Sequence, residues 1–224
     1  MGNSRSVSTW SLIAIPAIIT LGITILRLTG ELQHWPTLLF NPAAGGGGAL
    51  IGISWLPIIF GPYFALKLAG AGDGPSSVGR SVVFALLGLV VLFLGGFLFQ
   101  WTLAHPSNLT LLAFLLMLAA AFVPRLGWRS LGDVLLAYAF AARIPVLIVM
   151  YLAMRGNGGA GWGTHYDVVP PELANLSFDV RYFYAAVLPQ MTLWIGFTVV
   201  VGSLIGSIVS AIARRGKQAV QAQA

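Results

Sequence analysis

The chain has 224 residues, of which 58% are hydrophobic and only 8% are charged. Because a soluble domain carries about 25% charged residues, this composition cannot cover a globule in water and indicates an integral membrane protein surrounded by lipid. The chain contains no cysteine, which excludes disulfides, thiolate nucleophiles and cysteine-ligated metal or iron–sulfur centres. The net charge of +6 does not indicate a nucleic-acid partner, since the basic residues collect at the ends of the apolar segments.

The first predicted element is a membrane-spanning helix at 10–28, because about 20 mostly apolar residues cross the hydrocarbon core. No small-x-small cleavage site follows it, so we expect an uncleaved span rather than a signal peptide. The loop 29–48 comes next and holds Glu31 and His34. Glu31 follows Arg27 by one helical turn, which lets the two side chains pair. The glycine run that ends the loop favours either flexibility or a close approach of the backbone to a ligand.

Three further spans are predicted at 49–68, 81–103 and 109–123. The first of these three contains Pro57 and Pro62. Proline has no N–H group, so each one leaves a carbonyl of the preceding turn without its helical partner. We therefore expect this helix to be interrupted.

The fifth predicted span, 131–152, contains Arg143 about 18 Å from its start at a rise of about 1.5 Å per residue. An arginine near the middle of the membrane costs about 2.5–3.5 kcal/mol on insertion scales, so a partner must offset it. In one interpretation, Arg143 binds carbonyls that Pro145 leaves free. In the other, it faces a polar cavity open to the outer side and pairs there with an acid or an anionic ligand, with Gln190 at a similar level.

The second and fifth spans are the middle helices of the two predicted three-span halves, and both contain prolines. Broken helices at matching positions are typical of binding sites in transporters built from inverted repeats. The two halves show no convincing sequence similarity, so this hypothesis rests on the prolines and on Arg143.

The long loop 153–184 contains His165 and Asp167, the one local pair of a histidine and a carboxylate. A metal site needs two or three such groups to converge in a recognisable spacing, and no such set is present, so we predict neither a metal nor a cofactor. After the two prolines at 170 and 171, apolar residues recur at helical spacing. This pattern predicts a short amphipathic helix near 172–184 that lies on the outer membrane surface.

The sixth predicted span, 185–213, carries small residues at every fourth position: Gly202, Gly206 and Ser210. Small residues at this spacing let helices approach closely. Within one chain this pattern favours packing of the bundle, and a second use would be contact with a protein partner.

The distribution of basic residues predicts that both termini are cytoplasmic, since positive charge concentrates on that side. In this orientation eight basic residues lie inside: Arg5, Lys67, Arg80, Arg125, Arg129, Arg214, Arg215 and Lys217. Three lie outside: Arg27, Arg155 and Arg181. All three histidines and most of the acidic residues then fall on the outer side, together with the two longest loops.

The sequence thus predicts an all-α, polytopic protein of a bacterial inner membrane, a bundle of six transmembrane helices in one membrane domain. Three classes of function remain open: binding or transport of a small anionic solute, a non-catalytic subunit or assembly factor of a membrane complex, and an enzyme acting at the outer leaflet. The first is our leading hypothesis, and no catalytic residue is assigned. The candidate ligand-binding residues are Arg143, Glu31, His34, His165, Asp167 and Gln190.

Overall fold

The computed structural model describes the backbone of residues 8–46, 48–105 and 107–223, and the side chains of these residues up to 214. The structure is 75% helix, and no strand occurs in the described part of the chain. The all-α prediction is therefore confirmed. Three residues of the predicted charge asymmetry lie outside this description, Arg5 entirely and Arg215 and Lys217 by their side chains.

Eight α-helices follow one another along the described chain. They are α1 Thr9–Leu32, α2 Leu56–Gly70, α3 Val78–Ala104, α4 Leu109–Ala120, α5 Arg129–Gly159, α6 Phe178–Tyr182, α7 Leu188–Met191 and α8 Leu193–Gln223. Short 3-10 turns lie at Ala44–Gly46, Pro124–Leu126 and Pro171–Leu173, and a π-helical turn, Phe183–Val187, joins α6 to α7.

Five helical segments are long and apolar enough to cross a membrane: Thr9–Leu32, Val78–Ala104, Leu109–Leu126, Arg129–Gly159 and Phe178–Arg214. They coincide with five of the six predicted spans and identify a helical, multi-pass membrane protein. Their lipid-facing surfaces carry large apolar side chains, such as Phe97 on α3, which is 74% exposed. Such a surface is stable only where hydrocarbon covers it.

The remaining predicted span, 49–68, is different. Its helix α2 has only 15 residues, or about 22 Å of length at 1.5 Å per residue. Residues 49–55 before it are not helical. Pro57 occupies the first turn of α2, where a missing N–H costs nothing, so this proline starts the helix rather than breaking it. Pro62 lies within α2.

The predicted amphipathic helix near 172–184 is not continuous. The structure has the 3-10 turn Pro171–Leu173, then a non-helical stretch, and a helix that begins only at Phe178. This second helix runs directly through the π-helical turn into α7. Its residues therefore belong to the start of the last membrane segment rather than to a separate surface helix.

Helix α8 lies at the centre of the bundle and packs against α2, α3 and α5. A Cβ atom added to Gly61 of α2 would lie only 2.3 Å from the carbonyl oxygen of Gly202, and one added to Gly206 would lie 2.7 Å from the Gly61 carbonyl oxygen. The small residues of the last span thus bring two backbones into direct contact, as predicted for packing within the chain. Helices α1 and α5 lie side by side, linked by a hydrogen bond of 2.7 Å between Thr20 and Tyr138.

Candidate functional site

One face of α1 carries polar side chains into the bundle. Thr20, Thr24, Arg27 and Glu31 are all buried, and their spacing of three or four residues places them on the same side of the helix. The two threonine hydroxyls donate to carbonyls of the preceding turn. The two charged residues are therefore the groups on this face that need partners from elsewhere in the fold.

Glu31 binds two partners with its buried carboxylate. Arg27 Nε donates to one carboxylate oxygen at 2.6 Å. The backbone N–H of His165 donates to the other oxygen at 2.9 Å, and the His165 ring Nδ1 lies 2.6 Å from the first. The Glu31 side chain has no exposed surface. Its charge is thus fully committed to Arg27 and to the loop that carries His165.

Arg27 uses its remaining donors to hold the first long loop. Nη1 donates to the carbonyl of Ile51 at 2.7 Å, and Nη2 donates to those of Asn41 and Gly46, each at 2.8 Å. A Cβ atom on Gly46 or Gly52 would lie 3.1 Å from the guanidinium. Glycine at both positions therefore lets the backbone wrap closely around the Arg27 side chain.

The second long loop is held by its own contacts and by α1. Asp167 accepts hydrogen bonds from the backbone N–H groups of Gly163 and Thr164, at 3.0 and 2.8 Å, and closes a tight turn. Tyr166 is buried and donates its hydroxyl to the carbonyl of Thr24 at 3.4 Å. Burial, with a further contribution from the charge of Glu31, raises the pKa of Tyr166 far above its usual range, so the phenol remains a donor.

Arg143 differs from Arg27 in having no carboxylate partner among the described residues. Its side chain is buried, with 4% exposed surface, near the middle of α5. Nη1 donates to Gln190 Oε1 at a long 3.4 Å, and the guanidinium carbon lies 4.7 Å from the centre of the Trp194 ring. The Nε donor is buried without a hydrogen-bond partner, and no main-chain carbonyl in the described part of the chain accepts from Arg143.

A cavity of about 470 Å³ lies between α1, α5 and the α7–α8 junction. Its polar wall includes Arg27, Arg143, His165 and Gln190. Its apolar wall is formed by Ile23, Ile53, Val146, Met150, Ala185 and Pro189. The cavity therefore combines two guanidinium groups with a larger apolar surface.

The short helix α2 begins beside this cavity. Gly52, Ile53 and Ser54 line the wall, and α2 starts two residues later at Leu56. The first turn of α2 leaves few free donors, since the Leu56 N–H donates to the Ile53 carbonyl, the Ile58 N–H donates to the Trp55 carbonyl, and Pro57 between them has no N–H. The cationic groups of the cavity are therefore the two guanidinium groups.

The structure brings Arg143, His165 and Gln190 to the cavity wall. Glu31 is not part of the cavity wall. It contacts His165 and Arg27 rather than Arg143. The other two candidates do not line the cavity: Asp167 closes its own loop, and the side chain of His34 is exposed. No group of three or more potential metal ligands occurs among the described residues.

Comparison of the chain with models of known families, with curated proteins and with solved structures gives no match. The chemistry of the site is therefore argued from its own geometry.

Among the cavity residues that were not candidates from the sequence, two bear directly on its charge. Arg27 was recognised only as a partner for Glu31, yet it lines the cavity as well. Trp194 stacks on Arg143 from the next membrane segment. The helical spacing of Arg27 and Glu31 indicated that Arg27 has a polar contact. No sequence pattern indicates that Trp194 contacts Arg143.

Proposed function

We propose that this protein binds a small anionic solute in the cavity at Arg143, as the recognition site of a carrier or receptor in the membrane. The observation that supports the proposal most is that the buried charge of Arg143 has no counter-charge among the described residues. Arg143 is a buried cation that lines a cavity, and within the described part of the chain its Nε has no hydrogen-bond partner and no carboxylate contacts it. An anionic ligand would supply the charge that the chain itself does not.

The charges around the cavity favour an anion. Arg27 and Arg143 contribute two positive charges, and Glu31 contributes one negative charge, which is paired with Arg27. In the described part of the chain, the charge of Arg143 is left without a counter-charge. Burying a guanidinium without a counter-charge is costly, so a carboxylate or phosphate that docks on Arg143 recovers part of that cost.

The size and lining of the cavity limit the ligand. A volume of about 470 Å³ falls within the range of about 300–1,000 Å³ that holds small organic molecules. The Nε and Nη donors of a guanidinium match a carboxylate or phosphate in a two-pronged arrangement. The apolar wall then favours a solute that carries one anionic group on a small apolar body.

For the topology, our proposal retains six membrane crossings, with residues 49–55 and α2 together forming the second. Both termini are then cytoplasmic in a bacterial inner membrane, and the cavity opens toward the outer side, where the loops held by Arg27 and Glu31 lie. A non-helical stretch at membrane depth is tolerated where it is buried in protein or lines a cavity. Residues 52–54 meet that condition because they line the cavity.

A carrier also needs a part that moves. The last membrane segment changes its helical form twice next to the ligand cavity: a π-helical turn at Phe183–Val187 and a break at Thr192, between α7 and α8. Gln190 and Pro189 of the cavity wall lie between these two points. We expect α7 to be the element whose position responds to the ligand.

The test is thermal unfolding of the purified protein in detergent, with and without a panel of anions. The panel pairs acetate with hexanoate and benzoate, and inorganic phosphate with a phenyl phosphate. A ligand that binds the folded state raises the melting temperature by mass action. We expect the apolar carboxylates or phosphates to raise it and the matched neutral amides and alcohols to have no effect.

Arg143→Lys is the informative variant, because lysine keeps the charge and loses the forked donors. We expect it to stay folded and to bind the anion about 10- to 150-fold more weakly, which corresponds to the loss of about 1.5–3 kcal/mol for a charged hydrogen bond. The control is Arg155→Lys. Arg155 is exposed and stacks on Tyr151 and Phe178 away from the cavity. If no anion shifts the wild type, or if Arg143→Lys keeps every shift, the proposal is wrong.

A further inference from the structure

A second cationic cavity lies at the opposite end of the bundle. It encloses about 290 Å³ between the connection from α2 to α3 and the connection from α4 to α5. Three arginines line it: Arg80, Arg125 and Arg129. We refer to it as the basic groove. It shares no residue with the cavity at Arg143.

The arginines of the basic groove outnumber its acidic partners. Asp133 binds both Arg125, at 2.6 Å, and Arg129, at 3.7 Å. Arg80 has no ion pair in the described part of the chain and stacks on the ring of Phe84 at 5.5 Å. The Nε atom of Arg125 is buried without a hydrogen-bond partner.

Among the described residues, a single acidic side chain lines the groove, that of Asp73. Its main-chain carbonyl accepts a hydrogen bond from the Trp128 indole at 3.0 Å, which ties the two connections together. Arg214 of α8 adds a fourth guanidinium beside the groove, 3.4 Å from the carbonyl of Pro75. Counting Asp73 and Asp133 against these four arginines leaves the region positive.

Two long helices also begin at the basic groove. Helix α3 starts at Val78 after Ser76, which lines the groove, and α5 starts at Arg129 itself. No side chain caps the N-terminus of α5, since its N-cap residue is Trp128. Helix N-termini attract phosphate because their free N–H groups and dipoles favour negative charge. Ser77 caps α3 by accepting a hydrogen bond from the Arg80 N–H, so the uncapped N-terminus of α5 is the one that adds to the guanidinium groups.

The groove lies next to the lipid-facing surface. Leu126 lines it and is 60% exposed, and Phe122, one turn earlier, is 43% exposed. Both side chains need hydrocarbon around them, while the arginines beside them need anions or water. A phospholipid fits this arrangement, because its charged headgroup and its acyl chain are joined to the same part of the molecule.

We propose that the basic groove binds the phosphate group of an anionic phospholipid, with the acyl chain lying along Leu126 and Phe122. Arg80 and Arg129 contact the phosphate, because their side chains are exposed and less engaged than that of Arg125. Free inorganic phosphate has the same charged chemistry and lacks the chain. The shape of the groove does not distinguish these two ligands, so the experiment must do so.

The experiment is native mass spectrometry of the purified full-length protein in detergent, titrated with phosphatidylglycerol, phosphatidylcholine or inorganic phosphate. We expect phosphatidylglycerol to bind in preference to phosphatidylcholine. The double variant Arg80→Gln, Arg129→Gln removes both proposed contacts, and the preference should fall roughly tenfold or more. The matched control is Arg155→Gln, which removes an exposed arginine at the other end of α5, and it should bind as the wild type does.

Arg143→Lys should also leave lipid binding unchanged, so this test and the test of the anion cavity fail independently. The proposal is overturned if both lipids bind equally, or if the double variant keeps the preference for phosphatidylglycerol. It is also overturned if inorganic phosphate binds in an Arg80- and Arg129-dependent way while phosphatidylglycerol does not. The groove is then a site for free phosphate.

Discussion

Replacing Glu31 by glutamine should destabilise the protein far more than removing an ion pair from its surface. Glutamine has nearly the size of glutamate and keeps one carbonyl oxygen, so packing changes little. The charge disappears, however, and with it the counter-charge of Arg27. Arg27 then remains a cation with only carbonyl partners inside the fold.

The magnitude follows from the burial of the pair. The Arg27 and Glu31 side chains are 6% and 0% exposed, and the pair is 2.6 Å long. Breaking a buried pair by removing one partner costs about 3–5 kcal/mol. Both Glu31 oxygens face donors of His165. In glutamine an NH₂ group, which cannot accept a hydrogen bond, replaces one of these oxygens, so one His165 donor loses its acceptor. We expect a loss of about 3–5 kcal/mol in the free energy of unfolding.

The assay is reversible unfolding in mixed micelles with increasing denaturing detergent, followed by tryptophan fluorescence. The matched control is Asp133→Asn, because Asp133 binds Arg125 at the same distance of 2.6 Å but its side chain is 41% exposed. Surface pairs contribute only about 0–1 kcal/mol. Equal losses in the two variants would refute the claim that Glu31 anchors the loop of His165 through a buried charge. Hydrogen exchange should also increase around His165 in Glu31→Gln and remain unchanged in Asp133→Asn.

Two further predictions test the packing and the topology. Gly61→Ala should destabilise the bundle by about 1–3 kcal/mol, because the added Cβ would lie 2.3 Å from the Gly202 backbone. The control is Gly96→Ala, since a Cβ there has no neighbour within 4 Å. In the same unfolding assay, Gly96→Ala should be neutral or slightly stabilising. In a chain without cysteine, Ala160→Cys should react with an impermeant thiol reagent added to intact cells, and Ser76→Cys should react only after lysis. Labelling of Ser76→Cys in intact cells would reverse the proposed orientation.

The apolar segments could be predicted from the sequence because a membrane span needs only length and hydropathy. The beginning of α2 could not, because residues 49–55 are as apolar as a helix requires. In the structure this non-helical segment is held by the hydrogen bond from Arg27 to the Ile51 carbonyl, and Gly52 leaves room for the Arg27 guanidinium. These contacts join positions 24 residues or more apart in sequence, and no periodicity indicates them.

Part of the site could be predicted, because charged residues within apolar segments are easily recognised in the sequence. Arg143 could be recognised from its neighbours alone, and the pair of Arg27 and Glu31 from its helical spacing. The contact of Glu31 with His165 joins residues 134 positions apart. We predicted from the sequence that both lie on the same side of the membrane, but no pattern in the sequence indicated that Glu31 would pair with Arg27 and His165 rather than with Arg143. Which acid pairs with which base depends on the packing of α1 against α5.

The separation between Glu31 and His165 has a consequence for the order of assembly during synthesis. Glu31 enters the membrane with the first helix, and its second partner is made 134 residues later. At about 5–20 residues per second, translation needs about 7–27 s to reach that point. During this interval Arg27, one turn away on the same helix, is the counter-ion that Glu31 has at hand. The first span thus carries its own neutralising pair through insertion, and the loop that holds His165 contacts Glu31 only after residue 165 has been made.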